Sequence, residues 1–453
     1  MNGLGLYPAV NTLAFLLCVV FLAYVGLIIV SYLQSRATTS GDGGAFRWHL
    51  LMPCLDEEVV VRRTIERALR DLPGVHLWCI DDASSDGTLS ILDAVAAVRP
   101  EVHVIPRTFP AAQQGKGAAL NAGWQAVNDW VTANEIDPEH VIVGVIDADG
   151  RLDPRCFDVL AGPAFFGAPE VGAVQLAVRI DNRTRGSLPS PTNPLRRLLV
   201  DLQDVEFMGP IAGMQLVRRH TASVSMGGNG QFTRLVVLNE VATWAGTPWH
   251  GSLLEDFELG LHVLMAGHRT AYCHHAAVHQ EGLSSVRLLV RQRSRWAQGS
   301  MQCAQYLRPV MASTKIGHVG ALEICYFLVL PWIQLVGTVV YVLAYLILGW
   351  YLLAVGVSPG TWVDSGQWGV LPLVILGGIG PFFIWGPLYR SWVDPAVTRR
   401  RAFVLGVASW LYSNLHFAAT WWAFLRVLAD RDDWKKSQRA VLGDGEQFPV
   451  GAP

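Results

Sequence analysis

Gln292-Arg293-Ser294-Arg295-Trp296 puts two guanidinium groups, an amide and an indole on one short segment. Guanidinium forks grip a diphosphate, and an indole face stacks on a sugar ring. Contact with lipid headgroups is the alternative for an Arg-rich helix at a membrane edge, and the acidic motifs upstream argue that it is not the whole story. Asp147-Ala148-Asp149 sets two carboxylates one residue apart, a spacing suited to Mg²⁺ or Mn²⁺ shared with diphosphate oxygens. Alone, such a pair is common by chance. Glu255-Asp256, about forty residues before the Arg/Trp segment, supplies Asp256 as a candidate general base. A hydroxyl attacking an anomeric carbon must lose its proton as the bond forms, and a positioned carboxylate can accept it. Negative charge at a helix start is the competing account of the pair, and the two roles can coexist.

Further acidic residues close other apolar runs. Pro53-Cys54-Leu55-Asp56-Glu57 follows one and Asp81-Asp82 ends another. Any one of them can be a turn former or a helix cap. Together with Asp147 and Asp149 they form three clusters, which makes that default a poor account of the set. Asp81 and Asp82 offer acceptors to the polar edge of a base and its ribose. Lys116, between Gly115 and Gly117, stands at a helix start, where an anionic phosphate is readily met. It is not a P-loop lysine: Pro110 stands where a glycine is required, and Gly117 replaces Ser or Thr. Gly227-Gly228-Asn229-Gly230-Gln231-Phe232 is glycine-rich enough to let backbone approach a flat ligand, with a surface turn as the alternative. His274, His275 and His279 lie in a strand-like stretch and read as structural rather than metal-binding.

The elements that must position these groups are legible from periodicity. WHLLMP, HLWCID, VHVIP and VIVGVID read as strands. Helical patterns fall between them over about Glu57–Arg70, Asp86–Val98 and Lys116–Ala133. This alternation predicts an α/β fold with a largely parallel sheet, whose ligands lie beyond the carboxyl ends of the strands. All three acidic clusters stand at such ends. Asn193–Val205 is an amphipathic helix suited either to a membrane surface or to packing on the sheet. Ser284 to about Ala312 has the same character.

Charge is only 16% of the chain against 51% hydrophobic residues, and the apolar residues are clustered. Residues 9 to 33 carry no charge and are long enough to span a bilayer. Nothing basic precedes them, so an anchor fits better than a signal peptide. Gly320–Val357 allows two crossings, or one plus an interfacial piece, with a break at Pro331-Trp332. Further runs cover about Leu371–Tyr389 and Phe403–Leu428. Basic residues at Arg390, Arg399–Arg401 and Lys435-Lys436 all favour the cytoplasmic side. That requires a re-entrant or horizontal segment around Tyr412-Ser413-Asn414, in a set of four or five helices. The net charge of −2 argues against nucleic acid as a partner. Seven cysteines show no metal spacing and suit buried thiols in a reducing compartment. A transporter is disfavoured because ionisable residues are scarce within the apolar runs.

In order and spacing these motifs resemble the membrane-bound family-2 glycosyltransferases, the group of cellulose, chitin, hyaluronan and poly-N-acetylglucosamine synthases. The likeness runs from about Leu50 to Trp296, and Trp434-Lys435-Lys436 is similar to a motif that follows the membrane helices. The resemblance implies a GT-A domain (a Rossmann-like mixed sheet) facing the cytoplasm, joined to an α-helical transmembrane bundle in the plasma (inner) membrane. It divides the chain into an anchor (1–36), a catalytic domain (46–282), interfacial helices (283–315), C-terminal membrane helices (316–429) and a tail (430–453). It implies a UDP-sugar donor, Mg²⁺ or Mn²⁺ at Asp149 and Asp147, and inversion by Asp256. Asp56, Glu57, Asp81, Asp82, Lys116, Asp147, Gln292, Arg293, Arg295 and Trp296 would meet the nucleotide sugar. Gly228, Asn229, Gly230, Glu255 and Trp296 would meet the acceptor. The expected reaction is hexose transfer to a growing β-linked polysaccharide coupled to its export, with a single sugar added to a membrane lipid as the alternative. Donor sugar and any accessory export subunit stay open. Pro53-Cys54-Leu55 replaces the aromatic-Asn pair of many relatives, so nucleotide contacts there are the least transferable.

Overall fold

The computed structural model describes residues 6–35, 38–355, 360 and 375–431. Eight strands form one sheet: β1 (Arg47–Cys54), β2 (His76–Asp81), β3 (Val102–Pro106), β4 (Val141–Val145), β5 (Arg151–Leu152), β6 (Val171–Ile180), β7 (Gln231–Arg234) and β8 (Arg269–Gln280). Their order across the sheet is β3-β2-β1-β4-β7-β6-β8-β5. The first four run parallel, as the strand–helix alternation predicts, while β7 enters antiparallel to both β4 and β6.

The near-continuous apolar runs follow from burial on both faces. In β1, Leu50 and Met52 join a core completed by α2 (Val61–Asp71), α3 (Thr88–Ala96) and α5 (Cys156–Leu160). Leu51 points to the opposite core, built with α4 (Lys116–Ala133), α8 (Leu235–Ala245) and α9 (Glu255–Ala266). Gly144 in β4 makes the first core possible: a Cβ there would stand 2.5 Å from the Phe232 ring and 2.7 Å from Leu50. At that separation one of the two must move.

A third core ties helices to the outer half of the sheet. It joins α1 (Leu6–Leu33), α6 (Pro194–Glu206) and α7 (Ala212–Thr221) to β6 and β8. The start of α6 is capped by Asn193, whose side chain accepts from the amides of Leu195 and Arg196. Of the two placements open to this helix, the sheet is the one found. Its acidic side is buried as well, with Asp204 paired to Arg179 and Asp201 to Arg401.

Beyond the sheet come α10 (Val286–Gln302), α11 (Leu307–Ala312) and α12 (His318–Val355). Two short helices, α13 (Gly380–Phe383) and α14 (Trp385–Leu388), precede α15 (Arg399–Leu428). Two expectations are corrected here. Pro331 does not break the apolar run, because α12 is one helix of 38 residues. Of the re-entrant or horizontal segment expected at Tyr412-Ser413-Asn414, the re-entrant form is excluded, because α15 runs through these residues unbroken. Among the described residues, two helices are long and apolar enough to cross a membrane, His318–Leu343 and Arg399–Leu428, by length and composition only. Leu322, Val336, Phe403 and Trp422 are exposed large apolar side chains on these two stretches. Trp434-Lys435-Lys436 and nearly all of the expected tail lie outside the described residues, as does the start of the 371–389 run.

Candidate active site

The carboxyl ends of the parallel strands open onto a cavity of about 1730 Å³. Asp147 and Asp149 leave the end of β4 and line it, and Glu57 and Asp82 line it from the ends of β1 and β2. Lys116 arrives from the first turn of α4, Gly228 and Asn229 from the loop before β7, and Glu255 and Asp256 from the start of α9. Gln292, Arg293, Arg295 and Trp296 close it from α10. Motifs spread over 240 residues of sequence therefore share one chamber. It continues between α12 and α15, past Phe327, Leu330, Pro331 and Gln334 to His416, Ala419 and Thr420.

Lys116 is the hub of the acidic side. Its ammonium donates to Asp147 Oδ1 at 2.7 Å and to the Gly228 carbonyl at 2.8 Å. A Cβ on Gly228 would lie 3.0 Å from Lys116 Nζ and 3.1 Å from Asp256 Oδ2, so backbone without a side chain threads between carboxylate and cation. Asp256 is held at the helix start, accepting from the Phe257 amide at 2.7 Å. Burial raises the Glu255 carboxyl above its usual range, and the adjacent Asp256 raises it further. Burial also raises Asp256, against the pull of the Lys116 charge. Burial alone lowers the Lys116 pKa, yet Asp147 and Glu255 more than offset this and keep it an ammonium.

Several expected contacts turn out to be supports. Asp56 does not line the cavity; it accepts from the amide and hydroxyl of Ser85 at 2.7 and 3.0 Å, bracing one strand-end loop against the next. Asp81 does not line it either, and its Oδ2 accepts from the Ser84 amide at 3.3 Å. Asp82 reaches the cavity, but its carboxylate is ion-paired to Arg107 and accepts from the Gln113 amide. Gly230, outside the cavity, sits at φ +75°, where a Cβ would strike Val278 at 2.6 Å. Its role is backbone packing at the start of β7. Asn229 spends its amide on protein: Oδ1 accepts from the Asp147 amide and Nδ2 donates to Gln280.

Arg293 is the largest revision within the Arg/Trp segment. Its guanidinium forks onto Glu206 at 3.2 and 2.6 Å, with both side chains under a tenth exposed. Tyr412 donates to the same carboxylate at 2.6 Å. Arg293 also covers the Trp296 ring at 4.1 Å, so it orients the indole, and Arg295 is left as the neighbouring cavity-lining cation of the motif. Sequence reasoning missed Glu206, Gln175 and Thr64. Gln175 clamps the glycine loop from both sides, accepting from the Gly227 amide and donating to the Asn229 carbonyl. Thr64 donates to the Ala148 carbonyl between the paired aspartates. One signal was present: Gln175 is the single polar residue inside the apolar run VGAVQLAV.

A divalent cation fits the donor set at the end of β4. Asp149 accepts from the Glu281 amide at 3.4 Å, and the Asp147 and Asp149 carboxylates both offer hard oxygens. His279 is not among them, since Asp153 accepts from it at 2.8 Å.

A mixed sheet with a strand-end carboxylate pair and an Arg/Trp helix over one cavity defines a GT-A glycosyltransferase. The chain matches the family model described as glycosyltransferase like family 2 over residues 47–299, and it belongs to that family. A beta-monoglucosyldiacylglycerol synthase of Synechocystis is 28% identical over 263 residues, 56% of this chain and 47% of that protein. A polyprenol monophosphomannose synthase of Mycolicibacterium smegmatis is 32% identical over 107 residues, 23% of this chain and 36% of that protein. The chain spans about half the length of the beta-monoglucosyldiacylglycerol synthases it matches. In fold, it is similar to a mannosyltransferase of Pyrobaculum calidifontis in complex with GDP-Man and Mn²⁺. That likeness has a TM-score of 0.56 at 15% identity and covers 94% of this chain and 99% of that one.

Proposed function

We propose that this enzyme transfers one hexose from a UDP-sugar to a hydroxyl of a membrane lipid, with inversion at the anomeric carbon. The observation that carries the reading is the single cavity, polar at the strand ends and lined by Phe327, Leu330 and Pro331 where it runs along α12. A charged donor and an apolar acceptor can therefore meet at Asp256. Two of the relatives named above have lipid products in their names, which supports this acceptor over the polysaccharide expected from sequence. A growing β-linked polysaccharide is the second reading, favoured by the continuation of the same cavity between α12 and α15.

In the proposed mechanism Asp256 accepts the acceptor's hydroxyl proton as the oxygen bonds to the anomeric carbon. The bond from that carbon to the diphosphate oxygen breaks on the opposite face, and the nucleoside diphosphate leaves. Arg295 opposes the charge that develops on the leaving group. Trp296, oriented by Arg293, stacks on the sugar being transferred. Asp149, with Asp147, would hold Mg²⁺ or Mn²⁺, which when bound offsets further charge on the diphosphate. In this reading α12 and α15 cross the inner membrane, α1 anchors the chain, and the sheet domain faces the cytoplasm.

The test gives the purified protein, in diacylglycerol-containing nanodiscs, labelled UDP-glucose and UDP-N-acetylglucosamine in turn. Label in an extractable lipid one hexose heavier supports the reading. Label confined to a long polymer overturns the acceptor, and no transfer from either donor overturns the donor class. Asp256→Asn should lower turnover by about 10²–10⁴-fold while nucleotide binding is retained.

A further inference from the structure

A second cluster of ligating side chains lies outside the cavity. His250 stands in the loop between α8 and α9, while Glu258 and His262 follow one turn apart on α9 and share a face. One ligand atom from each lies within 4.8 Å of those of the other two. Glu258 is 2% exposed and His262 1%, and none of the three lines the cavity.

The surrounding hydrogen bonds prepare these groups for a cation. His250 donates from Nε2 to the Thr247 carbonyl at 3.0 Å, which leaves the Nδ1 lone pair 3.9 Å from Glu258 Oε1. Fixing one imidazole nitrogen on a carbonyl so that the other is free to ligate is the usual support of a metal-bound histidine. The Tyr306 hydroxyl donates to Glu258 at 2.5 Å and lies 3.1 Å from His262 Nε2. The Pro248 carbonyl accepts a hydrogen bond from the His262 ring, which leaves the ring's other nitrogen to ligate. Among the described residues no Lys or Arg is ion-paired with Glu258, so a deeply buried carboxylate lacks a permanent counter-charge. Buried carboxylates are paired or coordinate metals.

We infer that His250, Glu258 and His262 form a divalent transition-metal site, separate from the Asp147/Asp149 site and suited to Zn²⁺. Two imidazoles and a carboxylate are a zinc ligand set, and the Tyr306 hydroxyl or a water completes four-coordination. The site braces rather than reacts. Its loop is tied to α4 by the Trp249–Asn121 hydrogen bonds of 2.7 and 3.1 Å. The carbonyl of His250 lies only 2.5 Å from where a Gly117 Cβ would be, next to Lys116. An ion on Glu258, two residues beyond Asp256, therefore fixes the base and its cation relative to each other.

The test uses the full chain in detergent, stripped by chelator, with Asp149→Asn to remove the active-site ion. Titrated Co²⁺ should bind at one equivalent with the visible absorption of a tetrahedral site. Zn²⁺ should displace it, and at about 100-fold its dissociation constant should raise the melting midpoint by several degrees. His262→Gln and His250→Gln should each abolish the absorption band. His250→Gln, on the loop, decides the matter if His262→Gln does not fold. No band in the Asp149→Asn chain, or a band that survives His250→Gln, overturns the site.

Discussion

Glu206→Gln strips the Arg293 guanidinium of its counter-charge within a deeply buried pair. The two side chains are 9% and 4% exposed and meet through two contacts of 3.2 and 2.6 Å. Removing one partner from a buried pair of this kind costs about 3–5 kcal/mol, most of it the uncompensated charge left behind. An amide still accepts from Arg293 and from Tyr412, so the lower end, about 3 kcal/mol, is expected. At roughly 2–4 °C per kcal/mol for a domain of this size class, the melting midpoint should fall by about 6 °C or more. Tryptophan fluorescence during a thermal melt in detergent reads this directly. Glu206→Met combined with Arg293→Met buries no charge and should recover at least half of the loss, because the two residues act on each other. In the double variant Trp296, no longer covered by Arg293, should lose its orientation, so transfer should fall further than nucleotide binding. Glu206→Gln melting within about 1 °C of the parent, or the double variant melting at the sum of the separate Glu206→Met and Arg293→Met losses, would refute the claim that the two residues stabilise each other.

Three further outcomes are expected. Turnover should decline as pH falls while still above the ordinary carboxylate range, since burial raises Asp256 and a protonated base accepts nothing. Lys116→Met should move that acid limb to higher pH, because the Lys116 charge holds the Asp256 pKa down; a profile flat from about pH 5 to 8 contradicts this. Gly228→Ala should cut turnover by about tenfold or more with little change in melting midpoint, because its Cβ would press on Lys116 and Asp256; unchanged kinetics would show that their spacing is not critical. Stability should be level above about pH 6.5 and fall as pH drops towards about 4, since burial lowers the His103 pKa to about 4 and the His49 pKa to about 3. Unfolded imidazoles bind protons in that window and the folded ones refuse them. His103→Phe should flatten the fall in melting midpoint between pH 7 and 5, and an identical slope would exclude its share.

The strand-end carboxylates were readable because each closes an apolar run, and period-2 and period-3.6 patterns locate such ends without tertiary information. Helix α4 falls on the residues its pattern predicted, Lys116–Ala133. The long C-terminal helices were harder to read. Proline is a local signal, and α12 continues through Pro331 because packing against α10 and α15 outweighs the local cost. Roles within the site were harder still. Nothing in Gln292-Arg293-Ser294-Arg295-Trp296 says that Arg293 pairs with a buried glutamate 87 residues earlier.

The sequence by itself determined the α/β alternation, the three acidic strand ends, the Arg/Trp segment and the apolar stretches, because these are written in residue type and period. Only the tertiary structure decided that β7 runs against its neighbours, that Arg293 belongs to Glu206, that Asp56 and Asp81 brace loops, and that the chamber extends between α12 and α15. Those facts depend on which distant side chains meet. Ion pairing and close approach act through space over a few ångströms, and spacing along the chain carries no record of them.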